Sequence, residues 1–240
     1  MHPAVLSALT RGAPSVFTGG SNVIAVLVLL AEFGMFRQAL LRDQIRLYAA
    51  QSAAISMLAI IVAAARHAPE LYVLAALSAA LKVVAVPVVM RRLLRGTQEE
   101  IAGSGTLSPA STVLVAITVA AFGFFAVGTL PIAGRVLPAA ALPVTALPVT
   151  ALGLAMAVVL VAFVLMIVRR DVVSQAVGFF SLENGISLAA LVVAARMPLI
   201  LEVAFLFDLL VAVVVFGVLI RVHHGRAESL STADLTSLRG

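Results

Sequence analysis

The chain has 240 residues, is 62% hydrophobic and 11% charged, and has a mean hydropathy of +1.17, so it lacks the polar surface that a water-soluble domain of its size needs. It contains no cysteine, which excludes disulfides, iron–sulfur clusters and thiolate zinc sites within the chain. Its net charge of +5 does not point to nucleic acid, because the basic residues lie in short loops between apolar stretches rather than on one face.

Crossing the hydrocarbon of a bilayer takes about 20 apolar residues in a helix. Seven such spans are expected, at 15–36, 45–65, 71–90, 111–130, 151–168, 172–195 and 199–220. The fold class is therefore all-α: a polytopic bundle of about seven transmembrane helices. Residues 1–15 lack a basic region followed by an apolar core, so the first span is expected to act as the insertion signal.

Numbering the loops alternately tests this arrangement. Four arginines (Arg11, Arg66, Arg135 and Arg196) fall on the side of the N-terminus. Eleven fall on the other: Arg37, Arg42, Arg46, Arg91, Arg92, Arg95, Arg169, Arg170, Arg221, Arg226 and Arg239. Basic loops stay in the cytoplasm, which puts the N-terminus outside and the C-terminus inside. A missed or false span would scramble the partition.

The chain is expected to divide into a four-helix part (1–130), an outer linker (131–150), a three-helix part (151–225) and a cytoplasmic tail (226–240). The linker repeats Ala-Leu-Pro-Val-Thr at 141–145 and 146–150. Prolines at 131, 138, 143 and 148 forbid an unbroken helix there. It reads as a semi-extended connection; a re-entrant segment would need a protein-lined cavity.

The third span carries Lys82 in Leu81-Lys82-Val83-Val84-Ala85-Val86-Pro87. A lysine at that depth is either charged and paired with a carboxylate or neutral because burial disfavours its charge. A structural ion pair and a snorkelling side chain are the plainer alternatives. Pro87 frees a carbonyl near Val83 and is expected to bend the helix.

The sixth span places Glu183 near mid-bilayer in Ser181-Leu182-Glu183-Asn184-Gly185-Ile186-Ser187. A charge there costs roughly 2.5–3.5 kcal/mol on insertion scales, so such residues persist mostly where they have a task or a partner. Burial favours the neutral acid, which suits a group that takes up and releases protons. The alternative is a neutral acid that hydrogen-bonds between helices. Gly178 and Gly185 allow a neighbouring helix to come close.

Asp208 lies at similar depth in the seventh span, which follows a short turn at Arg196-Met197-Pro198. Two carboxylates at one depth on antiparallel neighbours suit a proton path. Glu32 and Glu202 lie about one turn inside the ends of their spans, within reach of interfacial water, and are secondary candidates together with Asn184. Gln51 and Ser52 are expected to bond between helices.

Taken together, these residues suggest two resemblances. Residues 169–240 resemble the K-type subunit of respiratory complex I in Arg169-Arg170, Glu183, Asp208 and the tail Ala233 to Gly240. The whole chain resembles component E of hydrogenase-4, in formate-hydrogenlyase-type complexes. The similarity lies in Lys82 through Pro87, Leu182-Glu183-Asn184-Gly185, Asp208 and the ending Leu235-Thr236-Ser237-Leu238-Arg239-Gly240. Two features depart from the K-type pattern: Asp208 stands in place of a glutamate, and both carboxylates sit nearly one turn further from their basic flanks.

The resemblance implies a non-catalytic membrane-arm subunit of a proton-translocating redox complex, in a bacterial or archaeal cytoplasmic membrane. Antiporter-like subunits would be its neighbours, with nickel–iron and iron–sulfur centres on other chains and no cofactor in this one. Glu183, Asp208 and Lys82 would carry the proton transfer. A complex I-like or multisubunit cation/proton antiporter subunit is the variant of this reading, and a stand-alone transporter or a structural spacer the alternatives. A retinal pump is disfavoured because the seventh span has no lysine and the chain no tryptophan. His2, His67, His223 and His224 show no metal-ligand spacing, and His223-His224 reads as interfacial solvation.

Overall fold

A computed structural model describes residues 16–66, 69–94, 107–129, 149–193 and 210–218. Helix is the only regular structure among the described residues, apart from isolated bridge positions at Leu40 and Asp171. The helices are α1 (Val16–Arg37), α2 (Leu41–Arg66), α3 (Pro69–Ser78), a π-helical turn (Ala79–Ala85), α4 (Val86–Leu94), α5 (Pro109–Thr129), α6 (Val149–Val168) and α7 (Val172–Val193). Residues 210–218 are also helical.

Five segments are long and apolar enough to cross a membrane: Gly19–Arg37, Leu41–Ala64, Leu71–Leu94, Pro109–Gly128 and Thr150–Val168. α7 matches them in length, with 22 residues, and carries the polar cluster of the sixth expected span. The seventh span is described only over 210–218, so Glu202 and Asp208 lie outside the described residues. So do residues 131–148 of the linker, the tail and all four histidines.

Two hairpins organise the bundle. α1 and α2 are joined by residues 38–40, and α6 and α7 by residues 169–171. The two turns meet at one end. The Arg169 guanidinium donates to the carbonyls of Phe36 (2.7 Å) and Gln38 (3.2 Å), which occupies acceptors that the end of α1 leaves open. Burial pulls this guanidinium below its ordinary value, and Asp171 acts in the opposite direction. Asp171 caps α7 by accepting from the Ser174 amide at 2.6 Å, and the Ser174 hydroxyl donates to Gln44 Oε1 at 2.8 Å.

α1 therefore runs parallel to α6, and α2 parallel to α7; both pairs are in contact. α2 is central, touching α1, α3, the π turn, α4 and α7.

The α6–α7 seam depends on glycine. A Cβ on Gly178 would come 2.7 Å from Met166 Cγ and 3.3 Å from the Ala162 carbonyl. One on Gly185 would come 2.7 Å from Val159 Cγ2 and 3.0 Å from the Val159 backbone nitrogen. Both expected approach points are real, and both face α6.

The third span is one α–π–α rod. Its π turn ends where the Val86 amide donates to the Leu81 carbonyl, five residues back. Pro87 has no amide hydrogen, and its ring crowds the carbonyl four residues earlier. Widening the helix just before the proline relieves that clash, and it places Lys82 on the bulge.

Candidate functional site

Apolar residues gather in two clusters, one at each end of the bundle. The first holds Met35, Tyr48, Val86 and Phe180; the second holds Val28, Ile55, Ala75 and Leu188. On each helix the polar residues fall between these two sets. Glu32 lies between Val28 and Met35, Gln51 and Ser52 between Tyr48 and Ile55, Lys82 between Ala75 and Val86, and Glu183 with Asn184 between Phe180 and Leu188. The result is a polar layer with apolar packing above and below it.

One part of the layer is an ion pair. Lys82 Nζ lies 3.0 Å from Glu183 Oε1, and their side chains are 1% and 7% exposed. The ammonium also donates to Ser187 Oγ at 2.8 Å. Glu183 and Ser187 are one turn apart on α7, so both face the bulge that carries Lys82. Of the readings open for Lys82, pairing with a carboxylate is the one observed. The ammonium does not snorkel, because the carboxylate is closer than either end of its helix.

The other part is an amide–hydroxyl network. Asn184 Nδ2 donates to Ser52 Oγ (2.9 Å) and to Gln51 Oε1 (3.0 Å). Gln51 Nε2 donates to Glu32 Oε2 (2.8 Å) and to the Val28 carbonyl (3.2 Å). The Ser181 hydroxyl contacts both Glu32 Oε2 and Gln51 Oε1. Tyr48 is buried one turn before Ser52 on α2, and its ring packs 5.8 Å from that of Phe180.

Glu32 corrects an expectation. Read as interfacial, it is instead completely buried. Side chains on a helix lean toward its N-terminus, so Glu32 points away from the Arg37 end and into the layer. Ser181 was visible in the sequence but was not singled out. Its signal is helical spacing: with Asn184 it forms the face of α7 that meets Gln51.

Among the described residues, no group of three or more His, Asp or Glu side chains is placed to hold a metal ion.

The chain is 25% identical to hydrogenase-4 component E of Escherichia coli K12 over 225 residues, which covers 91% of this chain and 97% of that protein. The same identity and coverage hold for hydrogenase-4 component E of Shigella flexneri. A shorter match, 45% identical over 84 residues, is to uncharacterized protein Rv0085 of Mycobacterium tuberculosis. It covers 35% of this chain and only 36% of that protein. No family model matches. No solved structure matches either. The full-length similarity agrees with the resemblance to component E and says nothing of the K-type one.

Proposed function

We propose that this chain is a non-catalytic, multi-pass subunit in the membrane arm of a proton-translocating redox complex of the hydrogenase-4 type. The observation that carries the reading is the buried Lys82–Glu183 pair. A buried ion pair seldom stabilises a fold more than well-packed apolar residues of the same volume would, so packing is a weak reason to keep one. A carboxyl and an amine at mid-depth, with the Ser187 hydroxyl beside the amine, can exchange a proton without passing through bulk water.

In this reading Glu183 is the group that takes and releases the proton, and Lys82 sets its charge state. A proton arriving on the Glu183 carboxylate removes the anion that holds Lys82, and the ammonium keeps Ser187 as a partner. Its positive charge then favours ionisation of another carboxyl. Asp208, on the next span, is the proposed recipient. Antiporter-like subunits continue the path, and the nickel–iron and iron–sulfur centres belong to partner chains. The cytoplasmic membrane is the proposed location, with the arginine-bearing turns inside.

The experiment is Glu183→Gln in the assembled complex, in sealed membrane vesicles, with hydrogenase turnover and proton uptake measured together. Uptake is expected to fall at least tenfold while electron transfer persists. Unchanged uptake would reduce Glu183 to a packing residue. Copurification of the tagged chain with hydrogenase and antiporter-like subunits is also expected, and an active single chain would favour a stand-alone transporter instead.

A further inference from the structure

Glu32 has no part in the proton transfer described so far, yet its surroundings are as specific as those of Glu183. It is 0% exposed. Its Oε2 receives a hydrogen bond from Gln51 Nε2 and touches the Ser181 hydroxyl, while its Oε1 has no hydrogen-bond partner among the described residues.

Counting hydrogens decides what that contact is. Ser181 Oγ lies against Glu32 Oε2 and also 2.9 Å from Gln51 Oε1. Gln51 Oε1 can only accept, and its identity as oxygen follows from its neighbours. The Asn184 amide points at it, while the other end of the same side chain faces the Val28 carbonyl and must be nitrogen. A serine hydroxyl has one hydrogen to give to two acceptors. If that hydrogen goes to Gln51, the Glu32 contact needs a hydrogen of its own, and a protonated carboxyl supplies it. The chain then runs from Glu32 O–H to Ser181 O–H to Gln51 Oε1 with every contact satisfied. An ionised Glu32 leaves two acceptors facing each other in a dry site, which is costly.

Few charges compete for this position. α5 and α6, which pack against α1, carry no charged residue. α2 presents Tyr48 and Gln51 near this depth, and its Asp43–Arg46 pair is at the exposed end. From α7, Glu183 is the nearest acid in the layer, and Lys82 is already paired to it.

Ser181, which touches Glu32, is two residues before Glu183 on α7, or about 3 Å of helix, so the two acids lie at nearly one depth. We infer that Glu32 is a second proton-binding carboxyl, in the same layer as the Lys82–Glu183 pair. The proton arrives on and leaves a Glu32 oxygen as H⁺, and only O–H bonds form or break. Gln51 and Asn184 are positioning residues: an amide does not readily change its proton number, so they hold the two acids in one layer without carrying the proton. The inference rests on the proton-transfer reading above, but its test does not.

The test is infrared spectroscopy of the full chain in lipid nanodiscs. The wild type is expected to show a protonated-carboxyl stretch that shifts in D₂O and declines as pH rises. Glu32→Gln is expected to remove it and Glu183→Gln to leave it in place. Glu32→Asp keeps an acid and should move the band without abolishing it, so this variant carries the test if Glu32→Gln does not fold. Carboxyl bands unaffected by either Glu32 variant would overturn the inference. So would a Glu32 band that stays constant over the whole pH range in which the protein is folded, since that acid would be a fixed hydrogen-bond donor. Failure of proton uptake to depend on Glu183 sinks the proposed function and leaves this result standing.

Discussion

Lys82 Nζ and Glu183 Oε1 are 3.0 Å apart, although they come from opposite sides of the proline-rich linker. The π turn that carries Lys82 and the glycine-lined seam that fixes α7 against α6 together set this distance.

Removing one partner strands the other. Lys82→Met is expected to lower stability by about 3–5 kcal/mol, as for other buried pairs broken on one side. The double variant Lys82→Met/Glu183→Leu should recover most of the loss. Reversible denaturant unfolding in mixed micelles would measure both. A double variant no more stable than the single one would mean that the pair does not act as a unit.

Gly185 should tolerate nothing larger. Gly185→Ala puts a Cβ against the Val159 backbone, which cannot swing away, and is expected to cost about 1–3 kcal/mol. Gly20→Ala meets nothing within 4 Å and, lying within α1, should leave stability unchanged or raise it by up to about 1 kcal/mol. Thermal melts of the two variants side by side give the comparison.

The α7 cap is a local test. Asp171→Ala removes the acceptor of the Ser174 amide and is expected to cost about 1 kcal/mol, whereas Asp171→Asn should retain most of the cap. Hydrogen exchange at the first turn of α7 should rise in the alanine variant only.

Orientation is open to chemical labelling, because the chain has no cysteine of its own. A single cysteine replacing Ser108 or Ser231 is expected to react with an impermeant maleimide only from the cytoplasmic side. One replacing His67 should react only from the outside. The reverse pattern would invert the bundle.

The five spans that the structure bears out by length and apolarity were readable from the sequence alone, because bilayer thickness fixes helix length and backbone hydrogen bonding forbids other spanning forms in lipid. The exceptional residues Lys82 and Glu183 were readable too, since a charge in twenty apolar neighbours stands out. Gly178 and Gly185 marked a close approach before the helix they approach was known.

Partner choice was not readable. Span order does not say which helices touch, and the sequence offered Asp208 as readily as Lys82 for company with Glu183. Glu32 shows the same limit: its distance from the helix end suggested water, while its direction, set by the lean of side chains along α1 and by Gln51 and Ser181 opposite, led into the bundle. Hydrophobicity acts along the chain and is legible there, whereas hydrogen bonding between helices depends on rotation and register, which only packing sets.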